Sequence, residues 1–496
     1  MYSPREKIFW FAAISRCTVL FISSISNSLL EDHKAEGVFI SSIPCDRNLN
    51  KLPKNRCDSR HSPIDYFIHV LFGGLVRWDA HYFLHIAKND YSQEKMLAFF
   101  PFYPLIVRSL ASVLNFVFSN FVTYESLLIL TSVVINFVLF IKSAQVLYEL
   151  SCAVLKNTEI SYKAAILYCI NPASIFFTAP YSETCYAFLT FSAMLYCVEN
   201  KLTISSVVNG LSSMTRSNGI LNVGFVLHRL LYNFITHYSS NNTSFIISTT
   251  ITINSTLTCL GSLIVSILPF CAFQLFSYVK FCHESLYKNE RPWCNKTIPL
   301  AYSYVQEHYW NVGFLRYYQI KQIPNFMLAF PLVFIIIRNS ITELRKSRFY
   351  SERIKSLFMT TNEQHIVFKV HALCLTVFCL LCIHVQVTTR MLCSSSPVLY
   401  WYVAQYFSSY DDKKVNHDTK LKEKLSNKGT LKPNIFLPKN EFTQVDSKSN
   451  MESRFRVFLF EKVEGNKKTV CSLLKIYFLS YFIIGTVMFS NFYPFT

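Results

Sequence analysis

The sequence is poor in charge, above all in acids, and poor in glycine. Only 16% of its 496 residues are Asp, Glu, Lys or Arg, against about 25% in a typical soluble domain. With 51% hydrophobic residues and a mean hydropathy of +0.26, the chain has too few polar side chains to cover a soluble protein of this length. The 11 Gly leave little material for a glycine-rich phosphate loop. These shortages argue against a cytosolic enzyme and an ATP-driven pump, and they predict a polytopic membrane protein.

Most of the charged residues in the sequence are basic. The 48 Lys and Arg exceed the 30 Asp and Glu and give a net charge of +18. They lie between apolar runs and form no aromatic-interleaved stripe of the kind that binds nucleic acid. We interpret them as loop charges that orient the chain in a membrane. Arg5 and Lys7 precede the first apolar run and Glu31, Asp32 and Glu36 follow it, which predicts a cytosolic N-terminus.

Most of the 16 Cys lie in apolar runs. A buried thiol there behaves as a small hydrophobe, so Cys379 and Cys382, although spaced as CxxC, do not predict a metal site. Two pairs in polar loops, Cys45 with Cys57 and Cys282 with Cys294, could form disulfides if those loops face an oxidising lumen.

Long apolar runs predict about 8 to 11 transmembrane helices, because only helices and closed barrels satisfy the backbone in lipid and these runs lack the alternation of a barrel. Several are shorter than the roughly 20 residues that a bilayer needs, so some are expected to be re-entrant or buried against their neighbours. The candidates lie near 8–29, 126–148, 163–180, 184–199, 219–235, 256–277, 324–338, 366–385, 394–408 and 472–492.

The expected organisation is an all-α membrane bundle with polar loops that carry the site. Residues 1–408 form the bundle, with loops at about 30–104 and 278–322. Residues 409–469, rich in Lys, Asn and Ser, form a flexible polar loop. Residues 470–496 form the final transmembrane helix.

A first candidate cluster lies in RWDAHYFLHIA, beside an apolar stretch. Asp79 is an acid at a membrane boundary, where charge is costly unless it is solvated or paired. The alternative is that Asp79 pairs with Arg77 while Trp78 belongs to an interfacial aromatic belt. His81 and His85 have the i, i+4 spacing of metal ligands, which is weak evidence by itself.

A second candidate is Glu183 in NPASIFFTAPYSET, an acid within an apolar run. An ionisable group at such depth predicts a functional role. A structural ion pair with Arg216, in the segment TRSNG, is the alternative.

Two later segments concentrate polar groups. In YSYVQEHYWNVGFLRYYQIKQIPNF, aromatic, amide and guanidinium groups suit a sugar, and in HVQVTTR an arginine at a membrane edge suits a lipid phosphate; the alternative for the second is snorkelling to lipid head groups. The candidates are Gln306, Tyr309, Trp310, Asn311 and Arg316 in the first segment and His384, Gln386 and Arg390 in the second.

Together these motifs resemble the PIG-V family of GPI mannosyltransferases. The segments RWDAHYFLHIA…AFFPFYP, NPASIFFTAPYSE, TRSNG, YWNVGFLRYY and HVQVTTR…SSSPVLYW stand in the family's order, and the ending NFYPFT is similar to the family's C-terminus. The resemblance spans the chain apart from variable loops at about 30–62 and 409–469.

The resemblance implies a multi-pass GT-C glycosyltransferase in the endoplasmic reticulum membrane with a lumenal active site. The enzyme would transfer mannose from dolichyl-phosphate mannose to the mannose of a glucosaminyl-(acyl)phosphatidylinositol precursor. The new bond would be α-1,6, and because the donor is β-linked, a single displacement with inversion is expected. The product would carry the second mannose of the GPI anchor.

The resemblance also implies roles for single residues. Asp79 would be the general base for the acceptor hydroxyl, with Arg77 and Trp78 beside it in the substrate site. Arg390, Arg316 and Arg216 are candidates to stabilise the departing phosphate, and Glu183 would orient the acceptor or an arginine. No cofactor is certain: relatives of the broader class often carry two acids where this chain has Asp79 alone, which puts a divalent metal in doubt. A small accessory membrane subunit is a possible partner, and nucleic acid is not.

Two other functions fit the sequence less well. A lipid or sugar transporter would explain the spans and the deep acid, but no repeat-related halves with paired broken helices are evident. A GT-C mannosyltransferase of another pathway would lack this motif set.

Overall fold

The computed structural model describes residues 2–33, 62–240, 245–282, 291–350, 365–408 and 468–494. The described residues form helices and connecting segments, which confirms the all-α fold. The possible Cys45–Cys57 disulfide and nearly all of the predicted loop 409–469 lie outside the described residues. The helices are α1 Pro4–Leu29, α2 Pro63–Phe72, α3 Ala80–Asn89, α4 Phe102–Phe118, α5 Tyr124–Leu155, α6 Thr158–Cys169, α7 Glu183–Val198, α8 Leu202–Thr215, α9 Val223–Ser240, α10 Phe245–Cys282, α11 Ala301–Trp310, α12 Ile323–Tyr350, α13 His365–Cys382, α14 Val385–Ser395, α15 397–408 and α16 Lys468–Ser490.

Within the described ranges, 6 helices are long and apolar enough to cross a bilayer. Their lipid-facing character is evident from exposed Phe, Ile and Leu side chains along them. The predicted count of 8 to 11 spans exceeds these 6 and stays a prediction. The long apolar segments are Pro4–Leu29, Tyr124–Leu155, Leu257–Cys282, Ile320–Arg345, His365–Cys382 and Thr469–Ser490.

The shorter helix α7 lies in the centre of the bundle. It packs against α5 and α8, and nearly all of its side chains are buried. Its 16 residues span about 24 Å at 1.5 Å per residue, so it needs neighbours rather than lipid along its length. This confirms that at least one short apolar run is buried by its neighbours.

The prediction of one span over 163–180 is wrong. Helix α6 ends at Cys169, and a short 3₁₀ helix, Ser174–Phe177, follows a turn at Asn171. The turn precedes Pro172, which has no N–H to continue a helix. The Arg16 guanidinium, fully buried in α1, donates to the carbonyl oxygens of Cys169 and Ser174 at 2.9 and 2.7 Å. Carbonyls that a helix would have paired are thereby satisfied, and the break is stabilised.

A separate aromatic cluster caps one end of the bundle. The 3₁₀ segment Glu94–Ala98 packs against α11, with Tyr91, Trp293 and Phe273 in its core. The disulfide between Cys282 and Cys294, one of the two pairs that the sequence allows, joins the end of α10 to the start of this cap. The cap covers a cavity at this end of the bundle.

Candidate active site

A cavity of about 470 Å³ opens between the cap and the bundle. Its walls come from segments that are far apart in the sequence, including the start of α3, the end of α8, α11 and α14. The structure therefore brings together most of the residues that the sequence singles out. Those that line the cavity are Trp78, Asp79, Arg216, Gln306, Trp310, His384, Gln386 and Arg390.

Asp79 stands at the N-terminus of α3, immediately before Ala80. A carboxylate is favoured at this end of a helix by the unpaired backbone N–H groups and the helix dipole. Its own backbone N–H donates to the Tyr181 hydroxyl at 3.0 Å. With 35% of its side chain exposed, the carboxylate is accessible from the cavity.

Glu183 is the first residue of α7, again at a helix N-terminus, and its side chain is fully buried. Its Oε1 accepts hydrogen bonds from Arg390 Nε and Nη2 at 2.8 and 2.6 Å. The same oxygen lies 2.6 Å from Arg216 Nη1. The ion pair with Arg216 that the sequence left as an alternative therefore exists, and Glu183 also binds a second arginine that lines the cavity.

Arg216 directly follows α8, where extended backbone ends the helix. A cation is favoured at this end of a helix. The next turn folds tightly onto α8: a Cβ on Gly219 would lie 2.6 Å from the backbone of Ser212 and Ser213. Only glycine fits such a close approach, and this turn fixes the direction in which the Arg216 side chain leaves the backbone.

Arg390, on α14, connects the two acids. Its Nη1 and Nη2 each lie 3.2 Å from Asp79 Oδ2, and the same Nη2 also donates to Glu183. The rings of Phe176 and Tyr181 lie 4.4 and 5.0 Å from the guanidinium carbon, an arrangement that favours a desolvated cation. Two carboxylates and two guanidinium groups are thus held together, and their formal charges sum to zero.

Arg77 does not pair with Asp79, the other arrangement that the sequence allowed. Its guanidinium donates to Asn27, Asp32 and the Ser490 carbonyl oxygen, at distances between 2.5 and 3.1 Å. Arg77 is buried and lies outside the cavity lining. It connects the segment that carries Asp79 to α1 and α16.

The cap contributes the wall opposite the charges. Trp310, at the end of α11, packs edge-on against Phe99 and Tyr82, and Gln306 lies one turn earlier. The His384 ring lies against that of Tyr317, with the ring centres 4.6 Å apart and the planes inclined by 30°. Aromatic faces beside amide and imidazole groups are suited to a ligand with both apolar and hydroxyl-bearing faces.

Three predicted residues of the cap lie outside the cavity lining. Tyr309 donates from its hydroxyl to Glu94 at 2.9 Å; burial and this hydrogen bond raise the pKa of Tyr309 to about 12, so it remains a donor. Asn311 ends α11 in a left-handed conformation. Arg316 pairs with Glu307 at 2.7 Å on the exposed side of the cap. The structure does not bring these three to the charged cluster.

The sequence reasoning missed Tyr181 and Phe176, which hold Asp79 and Arg390. Both lie in the motif that carries Glu183, but neither carries a charge that would mark it out in an apolar run. It also missed Asn218, which lines the cavity and donates to Ser395 at 3.1 Å. The sequence signal that could have found Tyr181 and Phe176 is the pair of prolines that flank the Ser174–Phe177 segment. Proline interrupts a regular helix, and irregular backbone inside a bundle can direct side chains into a site.

The described residues contain no group of three or more His, Cys, Asp or Glu side chains that could hold a metal ion. The two acids at the cavity both bind arginines. His81 adds no charge beside Asp79 at neutral pH, because burial, and secondarily the nearby Arg77, lower the pKa of His81 to about 4.

Comparison with known proteins identifies the family to which this chain is similar. The model of the family "Mannosyltransferase (PIG-V)" matches residues 5–496. GPI alpha-1,6-mannosyltransferase 2 of Cricetulus griseus is 32% identical, over 99% of this chain and 99% of its own. GPI mannosyltransferase 2 of Drosophila melanogaster is 34% identical over 81% of this chain and 91% of its own. The human GPI alpha-1,6-mannosyltransferase 2 is 32% identical over 81% and 83%.

Among solved structures, the archaeal oligosaccharyltransferase AglB from Archaeoglobus fulgidus is similar with a TM-score of 0.41 and 11% identity. The match covers 98% of this chain, which spans 57% of the length of that protein. The family match extends over nearly every residue and favours an enzyme over the transporter that the sequence left open. The chain belongs to the PIG-V mannosyltransferase family.

Proposed function

We propose that this chain is the α-1,6-mannosyltransferase that adds the second mannose of the GPI anchor. The donor is dolichyl-phosphate mannose, and the acceptor is the mannose of a mannosyl-glucosaminyl-(acyl)phosphatidylinositol. Family membership supports the reaction class. The observation that carries the mechanism is the cavity with Asp79 and Arg390 in its wall and Glu183 behind them.

Asp79 acts as general base. A base must come within hydrogen-bond reach of the acceptor hydroxyl, and the Asp79 carboxylate is partly exposed to the cavity. It takes the proton of the acceptor 6-hydroxyl as the oxygen attacks the anomeric carbon from the side opposite the phosphate. The bond to the phosphate breaks in the same step, and the anomeric configuration inverts.

Charge balance within the cluster supports this assignment. Before reaction, Asp79 and Glu183 neutralise Arg216 and Arg390. When Asp79 takes the proton, the four side chains acquire a net charge of +1 at the moment when the departing dolichyl phosphate gains a negative charge. Arg390 and Arg216, both at the cavity surface, then stabilise the phosphate. A preorganised cation that acts as charge develops is an effective form of catalysis.

The remaining walls bind and shield the substrates. Gln306, Gln386 and His384 supply hydrogen-bonding groups for sugar hydroxyls, while Trp78 and Trp310 supply aromatic faces. The cap covers the cavity, and a substrate bound beneath it is shielded from bulk water, which limits hydrolysis of the donor.

The proposed setting is the endoplasmic reticulum membrane, with a GT-C architecture, a cytosolic N-terminus and a lumenal site. The Cys282–Cys294 disulfide supports a lumenal cap, because disulfides persist in oxidising compartments. Residues 1–408 form the catalytic bundle and 470–496 the closing helix, joined by the polar loop 409–469. An accessory membrane subunit remains part of the proposal as a partner.

The test is complementation of cells that lack the second GPI mannosyltransferase. Wild-type chain is expected to restore surface GPI-anchored proteins and to elongate the accumulated one-mannose intermediate. Asp79→Asn preserves the side chain's shape and removes the base, so transfer should be abolished at equal protein level. Asp90→Asn, at an exposed acid of the same segment that pairs with Lys280, should restore both. Failure of the correctly inserted wild-type chain would overturn the proposed function; full transfer by Asp79→Asn would overturn the role of Asp79.

A further inference from the structure

We propose that Phe492, after the end of α16, is a positioning residue for Asp79. This inference rests on the proposed function, since it takes Asp79 as the base. Phe492 acts on the turn of residues 77–79 and does not itself reach the reacting atoms.

The Phe492 ring contacts the side chains on both sides of Asp79. Its centre lies 4.4 Å from the guanidinium carbon of Arg77, 5.8 Å from the centre of the Trp78 ring and 6.5 Å from that of the His81 ring, which is nearly parallel to it. The residue is only 8% exposed. A single aromatic ring therefore supports the residues before Asp79 and the first turn of the helix after it.

The supported turn is strained. Trp78 has a φ of 54°, a left-handed conformation that a bulky residue rarely adopts and that persists only where the surroundings enforce it. The Tyr181 hydroxyl holds the backbone on both sides, donating to the Arg77 carbonyl at 3.1 Å and accepting from the Asp79 N–H at 3.0 Å. Tyr181 fixes the backbone of the turn, and Phe492 fixes its side chains.

The segment that carries Phe492 is itself anchored. Asn491 donates to Ser26 at 2.5 Å, and its carbonyl accepts from the His33 N–H at 2.9 Å. Arg77 reaches back to the Ser490 carbonyl at 3.0 Å. The ring is thus held against α1, and it can transmit that rigidity to Asp79. Misplacing a catalytic group by about 1 Å can cost on the order of 100-fold in rate.

The experiment measures kcat and KM for mannosyl transfer in microsomes, normalised to folded protein. Phe492→Ala should lower kcat about 10- to 100-fold, because the base moves. KM for donor and acceptor should rise by less than kcat falls, because Trp78, which Phe492 supports, is only part of the binding wall. Phe492→Tyr, which keeps the ring, should restore kcat. Phe116→Ala removes the same side chain at a 91% exposed position and should leave both constants unchanged.

Each other result overturns the inference. If activity falls only in proportion to protein amount, Phe492 is structural; if KM rises while kcat is kept, it belongs to the binding wall. If Phe492→Ala does not accumulate, Phe492→Leu keeps apolar bulk without the ring face, and an unchanged kcat for that variant counts against the proposal. Activity of the wild-type chain in the same assay tests the proposed function separately.

Discussion

Two carboxylates on opposite sides of the cavity have similar surroundings and different roles. Glu183, in the bundle, is fully buried and binds Arg216 and Arg390. Glu94, in the cap, is 11% exposed and accepts from the Trp293 indole at 2.6 Å and from the Tyr309 hydroxyl at 2.9 Å. Both acids accept short hydrogen bonds, but Glu183 Oε2 is buried without a hydrogen-bond partner among the described residues, whereas each oxygen of Glu94 has one.

Glu183 and Glu94 differ further in where their hydrogen-bond partners lie. Both arginines held by Glu183 line the cavity, whereas Trp293 lies in the core of the cap and Tyr309, 45% exposed, lies on the surface of the cap outside the cavity lining. Removing the charge of Glu183 changes the electrostatic potential at the proposed reaction site. Removing the charge of Glu94 weakens the hydrogen bonds that join its segment to Trp293 and Tyr309 in the cap. The same substitution at both positions should therefore separate catalysis from stability.

Glu183→Gln should have the largest effect. The substitution leaves two largely buried guanidinium groups facing one carboxylate, Asp79. Removing one partner of a buried ion pair lowers the free energy of unfolding by about 3–5 kcal/mol. Arg390 should then bind Asp79 more tightly and oppose its protonation. We expect transfer to fall at least about 100-fold and the thermal unfolding midpoint to fall, measured in detergent-solubilised protein.

The matched control lies at the other end of the same helix. Glu199→Gln affects an exposed pair with Lys201, which is worth about 0–1 kcal/mol, and should leave activity and stability unchanged. Wild-type activity in Glu183→Gln would mean that its negative charge is not needed to orient the arginines.

The bundle and the cap also differ in how far the sequence predicts them. Asp79, Glu183 and Arg390 could be singled out because charge in apolar surroundings is costly, and such residues are few. Their convergence could not, since it depends on the break after Cys169, which Arg16 stabilises from a distant helix. Arg316 stands in the most distinctive motif, but in the structure it pairs with Glu307 on the outside of the cap, so its predicted role at the phosphate stays a prediction.

Removing the disulfide should affect the cap and spare the bundle. Cys282→Ser with Cys294→Ser opens a link between residues 12 apart in sequence, with an expected loss of about 2–3 kcal/mol. We expect a lower unfolding temperature and a raised KM, because α11 carries Gln306 and Trp310 to the cavity. A variant of the exposed free Cys374 to Ser is the control. A fall in kcat alone would place the cap within the catalytic machinery.

Glu94→Gln should have a smaller effect. Glutamine retains an acceptor oxygen for Trp293 and Tyr309 and loses the contact with Arg291, which is already long at 3.6 Å. We expect about 1 kcal/mol of destabilisation and transfer within about threefold of wild type, measured beside Glu183→Gln. Equal losses of kcat in the two variants would break the distinction between bundle and cap.

Asn295→Gln should have the smallest effect on activity and settles the side of the membrane on which the cap lies. Asn295 is exposed, directly follows Cys294 and begins the sequon Asn-Lys-Thr, an acceptor for N-linked glycan in a lumenal segment. A glycosidase-sensitive mobility shift should be present in the wild-type chain and lost in Asn295→Gln, with transfer unchanged. Because the cap covers the cavity that holds Asp79 and Arg390, a glycan on the cap makes the whole charged cluster lumenal. If Asn295 is unmodified and a cysteine at that position reacts from the cytosolic side, then the cap, the cavity and the proposed lumenal reaction are all placed on the wrong side.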